Sequence, residues 1–120
     1  MNDMTGRIEE YRTEVLEGLY TIRKKLLGAF DGSMPKELEA PLGTLEAIRR
    51  NTLDPEYAFS WRLMDSARHD DAPRVEEQIL QVATAYKRND LKLLAGEAMI
   101  ACMKVGSLGS LIREAQEDAA

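Results

Sequence analysis

The sequence predicts an all-α fold: a single helical domain over residues 1–120, built as a bundle of five or six helices with a C-terminal helical hairpin. Two observations support this class. Apolar residues recur every three or four positions along most of the chain, and no segment shows the sustained apolar–polar alternation that marks a strand. The composition, 44% apolar and 31% charged in 120 residues, is typical of one globular domain with its own core.

The clearest helix is predicted from about residue 5 to residue 30. Its main apolar stripe should face the core. A second set of large apolar residues flanks this stripe, so that the apolar arc is wide enough for two neighbouring helices, one of which could belong to another chain. The main stripe comprises Ile8, Tyr11, Val15, Leu19, Ile22, Leu26 and Phe30, and the flanking set comprises Leu16, Tyr20 and Leu27.

A connection inside the domain is predicted next, over residues 31–43. It opens with the turn sequence Asp-Gly-Ser, and Pro35 and Pro41 restrict the backbone of the residues before them. A short helix should follow at about residues 44–51, with its apolar residues on one side.

The best helix start in the chain lies at residues 54–56. Asp54 is a favoured N-cap, Pro suits the first helical position, and Glu interacts well with the helix dipole. We expect this helix to cover about residues 54–69 and to end before Pro73. One of its faces carries Tyr57, Trp61 and Met64, and nearly the opposite face carries Phe59 and Leu63.

Three further helices are predicted in the C-terminal part, at about residues 74–88, 91–105 and 108–115. The first two should form the hairpin, with a tight turn at Asn89-Asp90. The 91–105 segment is apolar nearly all round, which predicts a central and mostly buried helix. Gly106 is expected to end it in a left-handed cap.

The composition argues against several classes of function. One cysteine allows no internal disulfide framework and no multi-thiolate zinc site. The net charge is −5 and neither half of the chain forms a basic stripe, so we expect no nucleic-acid partner. There is no membrane-spanning apolar run and no signal peptide pattern, so we expect no membrane contact and a cytoplasmic location.

No credible catalytic set emerges, so we expect a non-enzymatic protein with neither a cofactor nor a metal. His69, with Asp65 four residues before it, could ligate a metal or accept a phosphoryl group, but we interpret it as a solvated histidine near a helix end. Cys102 lies in the most apolar helix and is expected to be a core residue. Residues 104–110 lack the spacing of a phosphate-binding loop.

The excess of large apolar residues on secondary faces is the most informative functional feature. A small helical domain could bury these residues on two sides. Left uncovered, they would bind another protein or a second copy of the chain, as in an adaptor, a chaperone-like protein or a homodimer. An alternative is a small-molecule-binding or regulatory domain, and a third is a phosphotransfer or enzymatic role for His69. The predicted partner-binding residues are Leu16, Tyr20, Leu27, Phe59 and Leu63, and the alternative pocket would be lined by Tyr57, Trp61, Met64 and Tyr86.

Residues 79–107 have the spacing of a helix–turn–helix unit, with Asn89-Asp90 in the turn. The first-helix positions are occupied by Ile79, Val82, Ala83 and Tyr86, and the second-helix positions by Ala95, Met99 and Cys102. With this spacing the segment resembles a single tetratricopeptide repeat, a helix–turn–helix unit of 34 residues. The resemblance implies a scaffold that binds peptides or helices of other proteins.

Overall fold

Four helices account for most of residues 3–53 and 61–119, the parts of the chain that the computed structural model describes. The described part thus contains four helices where the sequence predicted five or six. They are α1, Asp3–Gly28; α2, Glu39–Leu53, preceded by a 3₁₀ turn at Lys36–Leu38; α3, residues 61–85; and α4, Asn89–Ala119.

The helices form an up-down-up-down bundle in which each packs against its two neighbours in an antiparallel direction. Two ion pairs of 3.5 Å mark the contacts of α1, from Arg23 to Glu46 in α2 and from Lys25 to Glu97 in α4. The bundle measures 51 × 22 × 21 Å. At 1.5 Å per residue α4 is ~46 Å long, so this one helix spans most of the molecule.

The core runs along the axis of the bundle and is almost entirely aliphatic. The main stripe predicted for the first helix lies largely inside it, because Val15, Leu19, Ile22 and Leu26 are buried. Other large side chains with almost no exposed surface come from the remaining elements, and they include Leu38, Leu45, Val75, Ile79, Val82, Leu91, Val105, Leu108 and Ile112.

The C-terminal helix does not end at Gly106, as the sequence predicted, but continues as α4 to residue 119. Gly106 and Gly109 instead mark the place where α4 touches α3. A Cβ on Gly106 would lie 2.5 Å from the Cβ of Arg68, and one on Gly109 would lie 2.8 Å from the Cβ of Met64. The two glycines are therefore explained by close helix packing, which no larger residue would permit.

The predicted break between residues 69 and 74 is also absent. An α-helical segment, Trp61–Ser66, continues through a π-helical turn, Ala67–Asp71, into a second α-helical segment, Ala72–Ala85. Pro73 stands in the first turn of that second segment. A proline ring clashes with the turn before it in a regular helix, and the wider π turn relieves this clash without ending the helix.

The connection after α1 is shorter than the predicted 31–43. Asp31 and Gly32 adopt positive φ angles of 48° and 85°, which reverses the chain. The 3₁₀ turn then leads directly into α2, whose first turn contains Pro41, a position where a helix needs no N–H donor. The predicted helix start at residues 54–56 lies outside the described residues.

The hairpin of α3 and α4 turns at residues 86–88, just before the predicted Asn89-Asp90. Lys87 has a φ of 54°, and the N–H of Arg88 donates to the carbonyl of Ala83 at 2.8 Å. Asn89 and Asp90 themselves form the first turn of α4. None of the helices in the described part of the chain has both the length and the apolar character needed to cross a membrane.

Candidate interaction surface

The outer side of α4 carries three large apolar side chains that the bundle does not cover. Leu93 is 70% exposed, Ile100 is 51% exposed and Met103 is 43% exposed. The sequence predicted a helix that is buried on most sides. The exposure of these three side chains shows that this prediction was wrong for the outer side of α4. The opposite side of the same helix does lie in the core, through Leu91, Ala95, Ala98, Cys102 and Val105.

These exposed residues belong to one regular stripe, which we name the α4 face: Leu93, Gly96, Ile100, Met103, Ser107 and Ser110. The intervals between them alternate between three and four residues. Such spacing keeps side chains on one side of a helix and is the pattern of helices that pack against another helix. This spacing is present in the sequence, but it does not stand out there because α4 also carries apolar residues on its other sides.

A groove between α4 and α1 borders the α4 face. It contains two depressions of about 320 and 550 Å³. The ion pair between Lys25 and Glu97 lies between them and contributes to both. On the α1 side the walls are low, because Gly18, Thr21 and Gly28 stand there.

Glycine at position 18 is not required by packing inside the chain. A Cβ on Gly18 would meet no described atom within 4 Å, and the same holds for Gly96 on the α4 face. Glycine within a helix costs about 1 kcal/mol relative to alanine. Packing within the described fold therefore does not require glycine at these two positions. The missing side chains leave space at the surface of the bundle.

The partner-binding residues predicted from the sequence lie elsewhere. Tyr20 and Leu27 are exposed and Leu16 is half-buried, on the side of α1 from which Arg23 reaches α2. Leu63 is exposed on α3, where it borders a small cavity of about 100 Å³ between α2 and α3. Phe59 lies outside the described residues. Three of the four described residues thus share one side of α1, and the fourth lies on α3.

The described residues of the alternative pocket do not meet either. Trp61 and Tyr86 lie at opposite ends of α3, and Met64 is buried between them. Tyr57 lies outside the described residues. The guanidinium of Arg113 sits 4.6 Å from the centre of the Trp61 ring, so this indole is covered by α4 rather than open to a ligand.

At the C-terminal end of α3, Tyr86 belongs to a cluster of side chains that the sequence did not predict. Its ring meets the edge of Phe30 with centroids 5.4 Å apart, and its hydroxyl donates to Glu37 at 3.1 Å. This hydrogen bond raises the pKa of Tyr86. Arg88 lies over the Phe30 ring at 4.7 Å and pairs with Asp90. The cluster fastens the connection after α1 to the turn of the hairpin.

His69 is exposed and lies in the π-helical turn of α3. Its Nε2 is 3.5 Å from Oδ1 of Asp65, a carboxylate that Arg68 also contacts. Residues 3–53 and 61–119 contain no group of three or more His, Cys, Asp or Glu arranged to hold a metal ion.

Cys102 is buried in the core, as the sequence predicted. Burial raises the pKa of its thiol to about 12, and the nearby negative charge of Asp71 adds to the shift. The thiol therefore stays protonated near neutral pH, and the protonated form is a poor nucleophile.

Comparisons with protein-family models, with curated proteins and with solved structures find no significant match to this chain.

Proposed function

We propose that this chain is a non-catalytic protein–protein interaction module that binds its partner through the α4 face. The observation that carries the proposal is the exposure of Leu93, Ile100 and Met103 on a single stripe. Covering a side chain of this size contributes about 1.5–3 kcal/mol when it is complete. Exposed apolar side chains grouped in this way are typical of binding sites, whereas isolated ones are not.

The groove beside the α4 face supports the same function. It lets a partner approach α1 as well as α4, because Gly18 and Thr21 project little. The charged groups Lys25, Glu97 and Lys104 stand along it, so a polar border flanks an apolar strip. Protein interfaces commonly have this composition, with an apolar centre and a polar rim.

The chemistry of the other candidate residues supports a non-catalytic protein. The thiol of Cys102 is protonated and buried, and the imidazole of His69 lies 3.5 Å from the carboxylate of Asp65, which also pairs with Arg68. The resemblance of residues 79–107 to a tetratricopeptide repeat points to the same class of function, because such repeats bind segments of other proteins.

A photoreactive residue in place of Leu93 tests the proposal. Irradiation should give a covalent adduct of higher mass, and adding Ile100→Glu to the same chain should abolish it. The matched control places the photoreactive residue at Glu77, an exposed position on α3. If no adduct forms from position 93, with the purified chain or in extract of the cells that produce it, the proposed function is wrong.

A further inference from the structure

We propose that the partner of the α4 face is the same face of a second copy of this chain, so that two α4 helices pack antiparallel about a two-fold axis. This inference rests on the proposed function, which requires only that the face bind some protein. A two-fold interface uses one surface twice, so that surface must be complementary to itself. The α4 face meets this condition in its side-chain sizes and in its charges.

The spacing of the face matches the seam of a two-stranded coiled coil. Leu93, Ile100 and Ser107 are seven residues apart, and Gly96, Met103 and Ser110 form the second set of the same repeat. These are the two alternating positions through which paired helices interlock. The seam covers ~26 Å, between four and five helical turns.

The sizes of the side chains fit an antiparallel pair. In antiparallel coiled coils the two alternating positions face each other. Ile100 of each copy would then lie opposite Met103 of the other, in two central apolar layers. On either side of these layers Gly96 would lie opposite Ser107, so that small residues meet and the helices can come close. Leu93 would close each end against Ser110.

The charges beside the seam fit the same arrangement. Glu97 and Lys104 are charged residues of α4 that flank the face on its α1 side. Antiparallel packing brings Glu97 of each copy towards Lys104 of the other, which gives two opposite-charge pairs. A parallel pair would instead leave Lys104 opposite Met99 and would align the two helix dipoles, which is less favourable.

The open glycine on the face has a role in this arrangement. A Cβ on Gly96 would touch no described atom of its own chain. Across the seam, however, the absence of a side chain lets the second helix approach, just as Gly106 and Gly109 let α3 approach on the other side of α4. The same helix then uses small residues on two sides for two close contacts.

The mass of the purified protein across a concentration series gives the first test. Sedimentation or light scattering should show a rise from 13.5 kDa, the mass of one chain, towards about 27 kDa, twice that mass. Ile100→Glu should hold the protein at the mass of one chain and leave its circular dichroism nearly unchanged. Its melting temperature should match that of the unsubstituted chain at dilutions where the latter is a monomer. Leu80→Glu, the same change on α3, is the control and should dimerise like the unsubstituted chain.

Disulfide trapping tests the direction and register. One protein carries Ile100→Cys and another carries Met103→Cys, and the two are mixed and oxidised. The mixed disulfide should form in excess over random pairing, because only the antiparallel register places positions 100 and 103 opposite each other. Predominance of the two symmetric disulfides would overturn the antiparallel arrangement.

The remaining outcomes distinguish a failure of this inference from a failure of the proposed function on which it rests. A dimer that survives Ile100→Glu would place self-association on another surface and overturn the inference. A monomer at every concentration that still gives an Ile100-dependent adduct with a different protein would overturn the inference and leave the proposed function standing. A monomer that gives no adduct would overturn both.

Discussion

Gly109 of α4 lies so close to Met64 of α3 that a Cβ on the glycine would be 2.8 Å from the Cβ of the methionine and 3.2 Å from the carbonyl oxygen of Trp61. The second of these atoms is backbone and cannot rotate away. The distance between the two helices at this point is therefore set by a residue that has no side chain. Met64 itself is buried, so the contact belongs to the core.

Gly109→Ala should destabilise the protein. The added methyl group improves helix propensity by about 1 kcal/mol, but overpacking a close contact typically costs about 1–3 kcal/mol. We expect these two terms to leave a net loss of up to about 2 kcal/mol, measured as a lower urea midpoint. The matched control is Gly43→Ala in α2, where a Cβ would meet no described atom within 4 Å.

The control should show the opposite sign. Without a steric cost, Gly43→Ala should raise the urea midpoint through helix propensity alone. If Gly109→Ala stabilises the protein as much as Gly43→Ala does, the two helices are not in close contact at this position and the packing described here is wrong.

Glu46 should make the protein lose stability in acid. Its carboxylate accepts two hydrogen bonds from Arg49, at 3.1 and 3.0 Å, and lies 3.5 Å from Arg23. The hydrogen bonds from Arg49 are the main cause that lowers the pKa of Glu46 below its ordinary value of 4.5. A group whose pKa is lower in the folded state stabilises the fold above its unfolded pKa, and this stabilisation disappears as the pH falls through the folded value.

The measurement is the urea midpoint between pH 7 and pH 3. The unsubstituted chain should lose stability below about pH 4.5, and Glu46→Gln should lose less over the same range because it carries no proton-linked charge there. Glu77→Gln on α3 controls for the general effect of removing a negative charge. Parallel pH profiles for the unsubstituted chain and Glu46→Gln would contradict the prediction.

Cys102 should react slowly with thiol reagents while the protein is folded. It has no exposed surface, and burial keeps its pKa near 12, so both access and ionisation oppose the reaction. At pH 8 we expect labelling by an aromatic disulfide reagent to follow unfolding, with rapid reaction only in concentrated urea. Fast and complete labelling of the native protein would show that α4 is not packed in the core at this residue.

The helical periodicity was sufficient to predict the fold class and much of the core. Val15, Leu19, Ile22 and Leu26 repeat at helical spacing, and burial of one stripe is the simplest way to satisfy that spacing. The helix ends were harder to predict, because one residue type can have two different structural roles. Gly106 can end a helix or permit close packing, and only the presence of Arg68 beside it decides between them.

The candidate surface could be predicted only in part. The excess of apolar side chains left open whether some of them stay uncovered, and the identities of the exposed ones depend on which helices become neighbours. Tyr20 and Leu27 are indeed exposed, yet Ile100 is exposed on a helix that was expected to be buried. In a nearly all-apolar helix, the side that faces solvent is determined by where the other helices pack. The periodicity of that one helix gives no information about the positions of its neighbours.

The contact between Phe30 and Tyr86 should be energetically coupled. The rings meet edge to face, at 5.4 Å between centroids and 74° between planes, and aromatic pairs of this geometry contribute about 0.5–1.5 kcal/mol beyond area burial. A double-mutant cycle with Phe30→Leu and Tyr86→Leu, measured by urea unfolding, should therefore give a coupling energy of about 1 kcal/mol. Tyr86→Phe keeps the ring and removes only the hydrogen bond to Glu37, so it should change stability far less than Tyr86→Leu. Purely additive effects of the two leucine substitutions would mean that the connection after α1 is not fastened to the hairpin through these rings.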